Sequence, residues 1–225
     1  SAPTHPPTAL KSAPFAAEVH TGDIDGDGDV DVLAASFSDH RFAWHENVDG
    51  LGTQWNEVLI SDNSDGVGTG PTSLVACDMD GDGDLDVVTG SYGDDYIAWH
   101  ENTDGVGSAW TEHVVDNSGT APYSVFCSDL DGDGEMEILS ASSVITADVK
   151  SNGNKDVVVA MATGVIWLEY PSWVRHVLAP MGGALDVAAA DLDDDGDMDF
   201  VTAAFDDNTV NVHINGGSGF WTTTV

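Results

Sequence analysis

Basic residues are almost missing from this chain. Its 225 residues carry five Lys and Arg against 40 Asp and Glu, a formal net charge of −35. Such a surface offers no basic patch to a nucleic acid and is repelled by anionic membranes. Long apolar runs are absent too: no stretch approaches the roughly 20 residues that span a bilayer. No Asn-x-Ser/Thr triplet occurs, so N-glycosylation has no standard acceptor. Cysteine is down to two residues, Cys77 in L-V-A-C-D and Cys127 in V-F-C-S-D. They stand one and two residues before an Asp, so in equivalent strands they face opposite sides. The expectation is two small buried thiols rather than a disulfide, and cysteine usage alone leaves the redox compartment undecided. The chain starts at Ser1 with neither Met nor a signal-peptide run, as expected of a processed or chosen start. Residues 1–14, opening S-A-P-T-H-P-P-T, read as a Pro-rich tail or linker.

What is present is one acidic sentence written four times. It runs D-I-D-G-D-G-D-V-D at 23–31, D-M-D-G-D-G-D-L-D at 78–86, D-L-D-G-D-G-E-M-E at 129–137 and D-L-D-D-D-G-D-M-D at 191–199. Carboxylates at positions 1, 3, 5 and 9 around a Gly at position 6, which permits the sharp turn, can converge oxygens on one hard cation. Calcium suits that donor set. These loops hold 21 of the 40 acids, and without a cation five or six like charges would crowd each one. The folded state is therefore expected to need its metal, and such acidity suits a calcium-rich or salty exterior.

With 41% hydrophobic residues the chain can bury a core, as one all-β domain or two smaller ones. Each loop sits between two β-like runs, for example S-L-V-A-C at 73–77 and V-V-T-G-S at 87–91. That is a hairpin with its acids at the turn. An EF-hand is disfavoured, because its position-12 Glu is replaced by Ala34, Thr89, Ser140 and Thr202 and its flanking helices by strands. A third run recurs, F-A-W-H-E-N at 42–47 and I-A-W-H-E-N at 97–102, and a fourth begins at Trp55, Trp110, Trp173 and Trp221. One unit is thus four strands in roughly 50 residues, the size of a propeller blade, which buries its faces by packing on neighbours. Inside the longer third interval, D-V-K-S-N-G-N-K-D at 148–156 keeps the outer Asp residues and the Gly but carries Lys150 and Asn152 at positions 3 and 5. It reads as a fifth, decayed loop. Either the Lys150 ammonium takes the place of the cation and neutralises Asp148 and Asp156, or this is a plain solvated hairpin. If it opens a new unit, the hairpin at 129–142 has lost its two outer strands.

Loops, period and strand order together resemble the FG-GAP/VCBS repeat family of calcium-loop β-propellers, typified by the integrin α-subunit head, over about residues 15–225. The literal Phe-Gly…Gly-Ala-Pro signature is absent, which places the resemblance nearer the VCBS-like branch. It implies an all-β fold, a β-propeller of four-stranded antiparallel blades with calcium-binding hairpin loops. Residues 1, 3, 5 and 9 of each loop would ligate by side chain and residue 7 by its carbonyl. Carried over by position, the ligands are Asp23, Asp25, Asp27, Asp29 and Asp31, then Asp78, Asp80, Asp82, Asp84 and Asp86. The other two sets are Asp129, Asp131, Asp133, Glu135 and Glu137, and Asp191, Asp193, Asp195, Asp197 and Asp199. Four clear units and a degenerate copy at about 143–178 leave two arrangements open, a small closed ring or part of a larger one.

The recurring Trp44, Trp99 and Trp167, and the four Trp that open the fourth run, are expected to pack between units rather than to stack on sugars. His45, His100 and His213 repeat as well, which weighs against one zinc or catalytic site. No nucleophile–base pair stands out, so no catalytic residue is assigned. The sequence reading is an extracellular or cell-surface, calcium-stabilised propeller holding about four Ca2+. It acts as an adhesion, scaffold or recognition module for protein or polysaccharide, without nucleic acid and without membrane insertion. The alternatives are the propeller domain of a calcium-dependent polysaccharide lyase or hydrolase, and a lectin. Partner specificity is expected where units differ: residues 62–70, the 143–164 insertion and the turn at Pro171.

Overall fold

The computed structural model describes residues 15–62, 69–118, 122–141, 143–161, 163–180, 182–217 and 221–224. The expected tail at 1–14 and most of the Gly-rich 62–70 segment lie outside them. The described residues form eighteen strands with no helix between them. Two compact units divide the chain, the first ending at Pro122 and the second starting at Tyr123.

The first unit holds two antiparallel sheets, each a meander of four strands in sequence order. One is β1 (Ala16–Gly22), β2 (Asp31–Ser36), β3 (Arg41–Asn47) and β4 (Trp55–Asp62). The other is β5 (Pro71–Cys77), β6 (Asp86–Ser91), β7 (Tyr96–Asn102) and β8 (Trp110–Asp116). Their registers repeat: position 9 of the acidic loop pairs with the residue before position 1, Asp31 with Gly22 and Asp86 with Cys77. The middle strands are the most buried, β6 along its whole length, as expected of Val-rich runs covered on both faces. Ile24, Leu33, Phe42 and Trp44 of the first sheet pack on Leu74 and Val87 of the second in one apolar cluster, with Trp110 at its margin.

The second unit contains three sheets. Among the described residues, β9 (Ser124–Ser128) and β10 (Glu137–Ala141) pair only with each other. Four strands follow in order, β11 (Ser143–Ala147), β12 (Asp156–Met161), β13 (Gly164–Glu169) and β14 (Val174–Pro180). So do β15 (Ala184–Ala190), β16 (Asp199–Ala204), β17 (Thr209–Asn215) and β18 (Trp221–Thr224). The decayed loop at 148–156 thus joins the first two strands of a complete sheet, and the acidic loop at 129–137 turns a two-stranded hairpin. Trp167, Val158 and Val165 pack against Val187 and Phe200 of the last sheet, and Leu130 of the hairpin packs against Val144 and Val157. The recurring Trp44 and Trp167 are therefore inter-sheet packing, with Trp110 and Trp221 partly buried at the cluster margins, but Trp173 departs from the expectation and is 42% exposed.

The cysteines depart from expectation. Neither is free: Cys77 and Cys127 are both disulfide-bonded. Side-chain alternation decides which face a residue takes within its own sheet and leaves open what it meets from a different sheet, so opposite facing was no bar to a disulfide. The histidines His45, His100 and His213 are core residues, 6%, 2% and 0% exposed. His100 Nε2 meets the Thr89 hydroxyl at 3.0 Å, and His213 lies 3.0 Å from both Thr202 and Thr223.

Candidate metal centres

Each acidic loop folds by hydrogen-bonding its own backbone to its carboxylates. Position 1 accepts the N–H of the position-6 Gly: Gly28 to Asp23 at 3.0 Å, Gly83 to Asp78 at 3.1 Å, Gly134 to Asp129 at 3.1 Å and Gly196 to Asp191 at 3.0 Å. Position 5 accepts the N–H of position 7, as in Asp29 to Asp27 at 2.9 Å. The Gly at position 6 sits at φ between +93° and +98° in all four loops, a conformation that side chains resist. So the turn is built locally, and it aims the short side chains inward.

That geometry brings carboxylate oxygens together at four places. Asp23, Asp25 and Asp27 converge, as do Asp78, Asp80 and Asp86, then Asp129, Asp131 and Glu137, and finally Asp191, Asp193 and Asp199, with ligand atoms within 4.8 Å of one another. Asp31, Asp82, Asp133 and Asp195 stand outside these groups; the position-7 residues Asp29, Asp84, Glu135 and Asp197, expected to ligate by their backbone carbonyls, contribute no carboxylate to them. In the first two loops the position-7 side chain turns elsewhere: a Cβ on Gly50 or Gly105 would collide with the carboxylate of Asp29 or Asp84. One oxygen of Asp23, Oδ1, is buried with no hydrogen-bond partner, an acceptor left over for a ligand. Burial, ahead of repulsion from neighbouring carboxylates, raises the pKa of Asp25, Asp31, Asp86 and Asp193. A cation would relieve both causes. The donor set, oxygen throughout, fits a hard divalent ion of the calcium type.

Position 9 has a second duty that spacing alone does not reveal. One oxygen of Asp31 accepts Ile24 N–H at 3.0 Å and the other accepts Asn47 N–H at 2.8 Å, tying the loop to the end of β3. Asp86 does the same for Met79 and Asn102, and Asp199 for Leu192 and Asn215. The decayed loop keeps this brace: Asp156 accepts Val149 N–H at 3.1 Å and Tyr170 N–H at 2.9 Å. Glu137 accepts only Leu130 N–H, at 2.8 Å, among the described residues. Among the described residues its hairpin has no third strand to offer a second N–H.

Lys150 does not neutralise Asp148 and Asp156. Its ammonium pairs instead with Glu169, which also accepts from His176 Nε2 at 2.9 Å, and it lies 5.8 Å from the centre of the Trp167 ring. Asp148 receives the N–H groups of Asn152 and Gly153. At position 3 the ammonium sits on a stem long enough to leave the loop for the carboxylate on β13. Beside it, His176 stacks on Trp167 at 4.1 Å, and His113 stacks on Trp99 at 4.3 Å while meeting Glu101 at 2.7 Å. The sequence reading missed these Trp–His–Glu groups, although strand pairing of the tryptophans with residues on the fourth strand carries the signal.

A repeat of all-β antiparallel sheets, each hairpin turned by an oxygen-rich loop, defines the class of protein. The FG-GAP-like repeat profile matches residues 23–89 and 78–140, together just over half of the chain. The chain belongs to the FG-GAP-like repeat family. No curated protein matches the sequence. Among solved structures, it is similar to an Agrocybe aegerita lectin that recognises non-reducing terminal N-acetylglucosamine, at 18% identity and TM-score 0.56, covering 92% of this chain and 65% of the lectin. It is also similar to the V. cholerae biofilm matrix protein Bap1, at 19% identity and TM-score 0.57, over 87% of this chain and 36% of that one. A third likeness is to rhamnogalacturonan lyase YesW, at 13% identity and TM-score 0.57, over 92% and 50%. The chain spans between about a third and two thirds of these structures' lengths.

Proposed function

We propose that the protein is a calcium-stabilised β-propeller module of the extracellular space, serving adhesion, scaffolding or recognition of protein or polysaccharide, with no catalysis of its own. The observation that carries the reading is the recurrence of three converging carboxylates at the same loop in four hairpins. Asp23, Asp25 and Asp27 would hold one ion, and Asp78, Asp80 and Asp86, Asp129, Asp131 and Glu137, and Asp191, Asp193 and Asp199 the others. Bound calcium supplies charge neutralisation and a cross-link within each loop. The loop at 148–156, with Lys150 and Asn152 at ligand positions, would hold none. The disulfide supports an oxidising compartment, and among the described residues no helix is long and apolar enough to cross a membrane. The lectin and the matrix protein support the recognition role, while the lyase is the reason to assay for catalysis.

The test is calorimetric melting with calcium and with excess chelator, alongside an ion count by mass spectrometry under native conditions. The expected result is about four calcium ions and a lower melting temperature after chelation. A transition indifferent to the chelator would remove the calcium reading, and glycan cleavage by the purified chain would remove the non-catalytic one.

A further inference from the structure

The second unit contains a cavity of about 450 Å³ lined by Lys150, Trp167, His176, Asp197, Asn215 and Trp221, within the usual range for small-molecule sites. Its lining comes from the sheet β11–β14 and from β15–β18 with its acidic loop, and none of it belongs to a cluster of converging carboxylates. In the first unit the equivalent place is filled. There, the tryptophan equivalent to Trp167 is Trp44, and the β7–β8 connection of the adjacent sheet closes over it. Trp44 Nε1 donates to Gly107 O at 3.0 Å, and a Cβ on Gly107 would come 2.6 Å from the Trp44 ring. In the second unit the corresponding connection runs from Asn215 to Trp221, two residues shorter than the one from Asn102 to Trp110. Trp167 lines a cavity where Trp44 is covered. The same site carries the exchange of acid for ammonium at loop position 3, since Lys150 stands where Asp25 stands in the first sheet.

The lining chemistry narrows the occupant. Lys150 excludes a metal ion. Its charge is already paired with Glu169, while the Asp197 carboxylate, which accepts the Ser151 hydroxyl at 2.9 Å, has no cation beside it among the lining residues. Added to a net charge of −35, this disfavours phosphates, nucleotides and acidic sugars. A purely apolar ligand would leave the remaining N–H groups of Lys150 and the remaining lone pairs of Asp197, beyond their bonds to Glu169 and Ser151, without water or partner. What remains is a molecule with an apolar C–H face for indole and hydroxyls that both donate and accept. We propose that this cavity binds a neutral pyranose residue of a glycan, with a ring face against Trp221 and hydroxyls shared between Lys150 and Asp197. His176, stacked on Trp167 and bonded to Glu169, is a positioning residue. The inference deepens the recognition reading and rests on it only for choosing glycan over protein.

The test uses the full chain loaded with calcium, titrated with the methyl glycosides of glucose, galactose, mannose, rhamnose and N-acetylglucosamine, and with galacturonic acid as the acidic control. Saturation-transfer NMR and calorimetry read binding, and melting reads folding. At least one neutral glycoside should bind in preference to the acid, and Lys150→Met should weaken it at least tenfold with the calcium-dependent melting retained. Trp221→Leu should abolish binding; because Trp221 packs on Phe200 at 5.4 Å and its loss can cost stability, Lys150→Met decides if that variant does not fold. Binding of no neutral glycoside, preference for the acid, or affinity unchanged in Lys150→Met would overturn the proposal. Any of these would leave calcium-dependent folding, and with it a protein-binding module, standing. Glycoside binding that survives while melting ignores calcium would do the reverse.

Discussion

At the scale of single residues, the acidic loop combines two kinds of carboxylate that look alike in sequence. Asp25 is a loop residue whose local partner is the neighbouring Asp27 N–H at 3.2 Å, whereas Asp156 is fully buried and holds two backbone N–H groups. Burial first, against those two hydrogen bonds, raises the Asp156 pKa. Asp156→Ala leaves both donors unanswered, at about 1–3 kcal/mol each. It should therefore cost about 2–5 kcal/mol in denaturant titrations, equally with and without calcium. Asp25→Ala should instead reduce stability only while calcium is present, and a loss that persists in chelator would mean that Asp25 too is a brace. His100 supplies a pH dependence. Burial lowers its pKa to about 4, below the 6.5 of an exposed imidazole. As pH falls below 6.5 the unfolded chain takes up the proton first, so stability declines between about 6.5 and 4 and levels off beneath, by roughly 3 kcal/mol. His100→Gln should flatten that part of the wild-type profile, measured as the difference between the two proteins at saturating calcium.

At the scale of elements, connections rather than strands distinguish the sheets. The β3–β4 and β7–β8 turns are built alike: Asn47 and Asn102 side chains accept Gly52 and Gly107 N–H at 2.9 Å. Asp49 and Asp104 each take a hydroxyl, from Thr53 and Ser108, which holds the Asp49 carboxyl down at about 2. The Gly107 carbonyl accepts both Trp44 and Trp110, and its φ of +66° lies in the left-handed region. Gly107→Ala combines that backbone strain with a clash on Trp44, so a loss of about 2–4 kcal/mol is expected. Its measure is the chemical-denaturation midpoint together with the near-ultraviolet signal of the tryptophan. Gly28→Ala meets no atom within 4 Å and should show the strain alone, about 1–2 kcal/mol.

At the scale of the whole molecule, stability is expected to rest on cations and on the disulfide as much as on apolar burial. Calcium sites with dissociation constants of about 0.1–1 mM, in ~1 mM calcium, contribute roughly 0.4–1.4 kcal/mol each by mass action. Four of them approach a large part of a domain's net stability of roughly 5–15 kcal/mol. Chelation should lower the melting temperature clearly, and reduction of the disulfide should lower it further by about 2–4 kcal/mol of stability. Reduced protein that melts with the oxidised form in both buffers would show that the bond is incidental.

The four-strand period and the acidic hairpins were legible in the chain because each is local: a loop whose Gly takes positive φ and whose carboxylates fold back on their own backbone depends on nine consecutive residues. Recurrence identified Trp44 and Trp167 as core but not the exposure of Trp173. The longer interval between the third and fourth loops raised an incomplete hairpin as one of the open arrangements, and strand pairing is what places β9 and β10 in a two-stranded sheet. Spacing did not separate the brace from the ligand at position 9, since Asp31 and Asp156 reveal their duty only through N–H groups 16 and 14 residues away, at or just past the end of the third strand of each sheet. The same limit applies to Lys150, drawn to a carboxylate 19 residues on, and to Cys77 and Cys127, whose pairing a single sheet's alternation does not govern. Sequence by itself determined what each hairpin is made of. The tertiary structure alone decided which side chains from different strands and sheets meet, because those encounters depend on packing of surfaces that no local rule places.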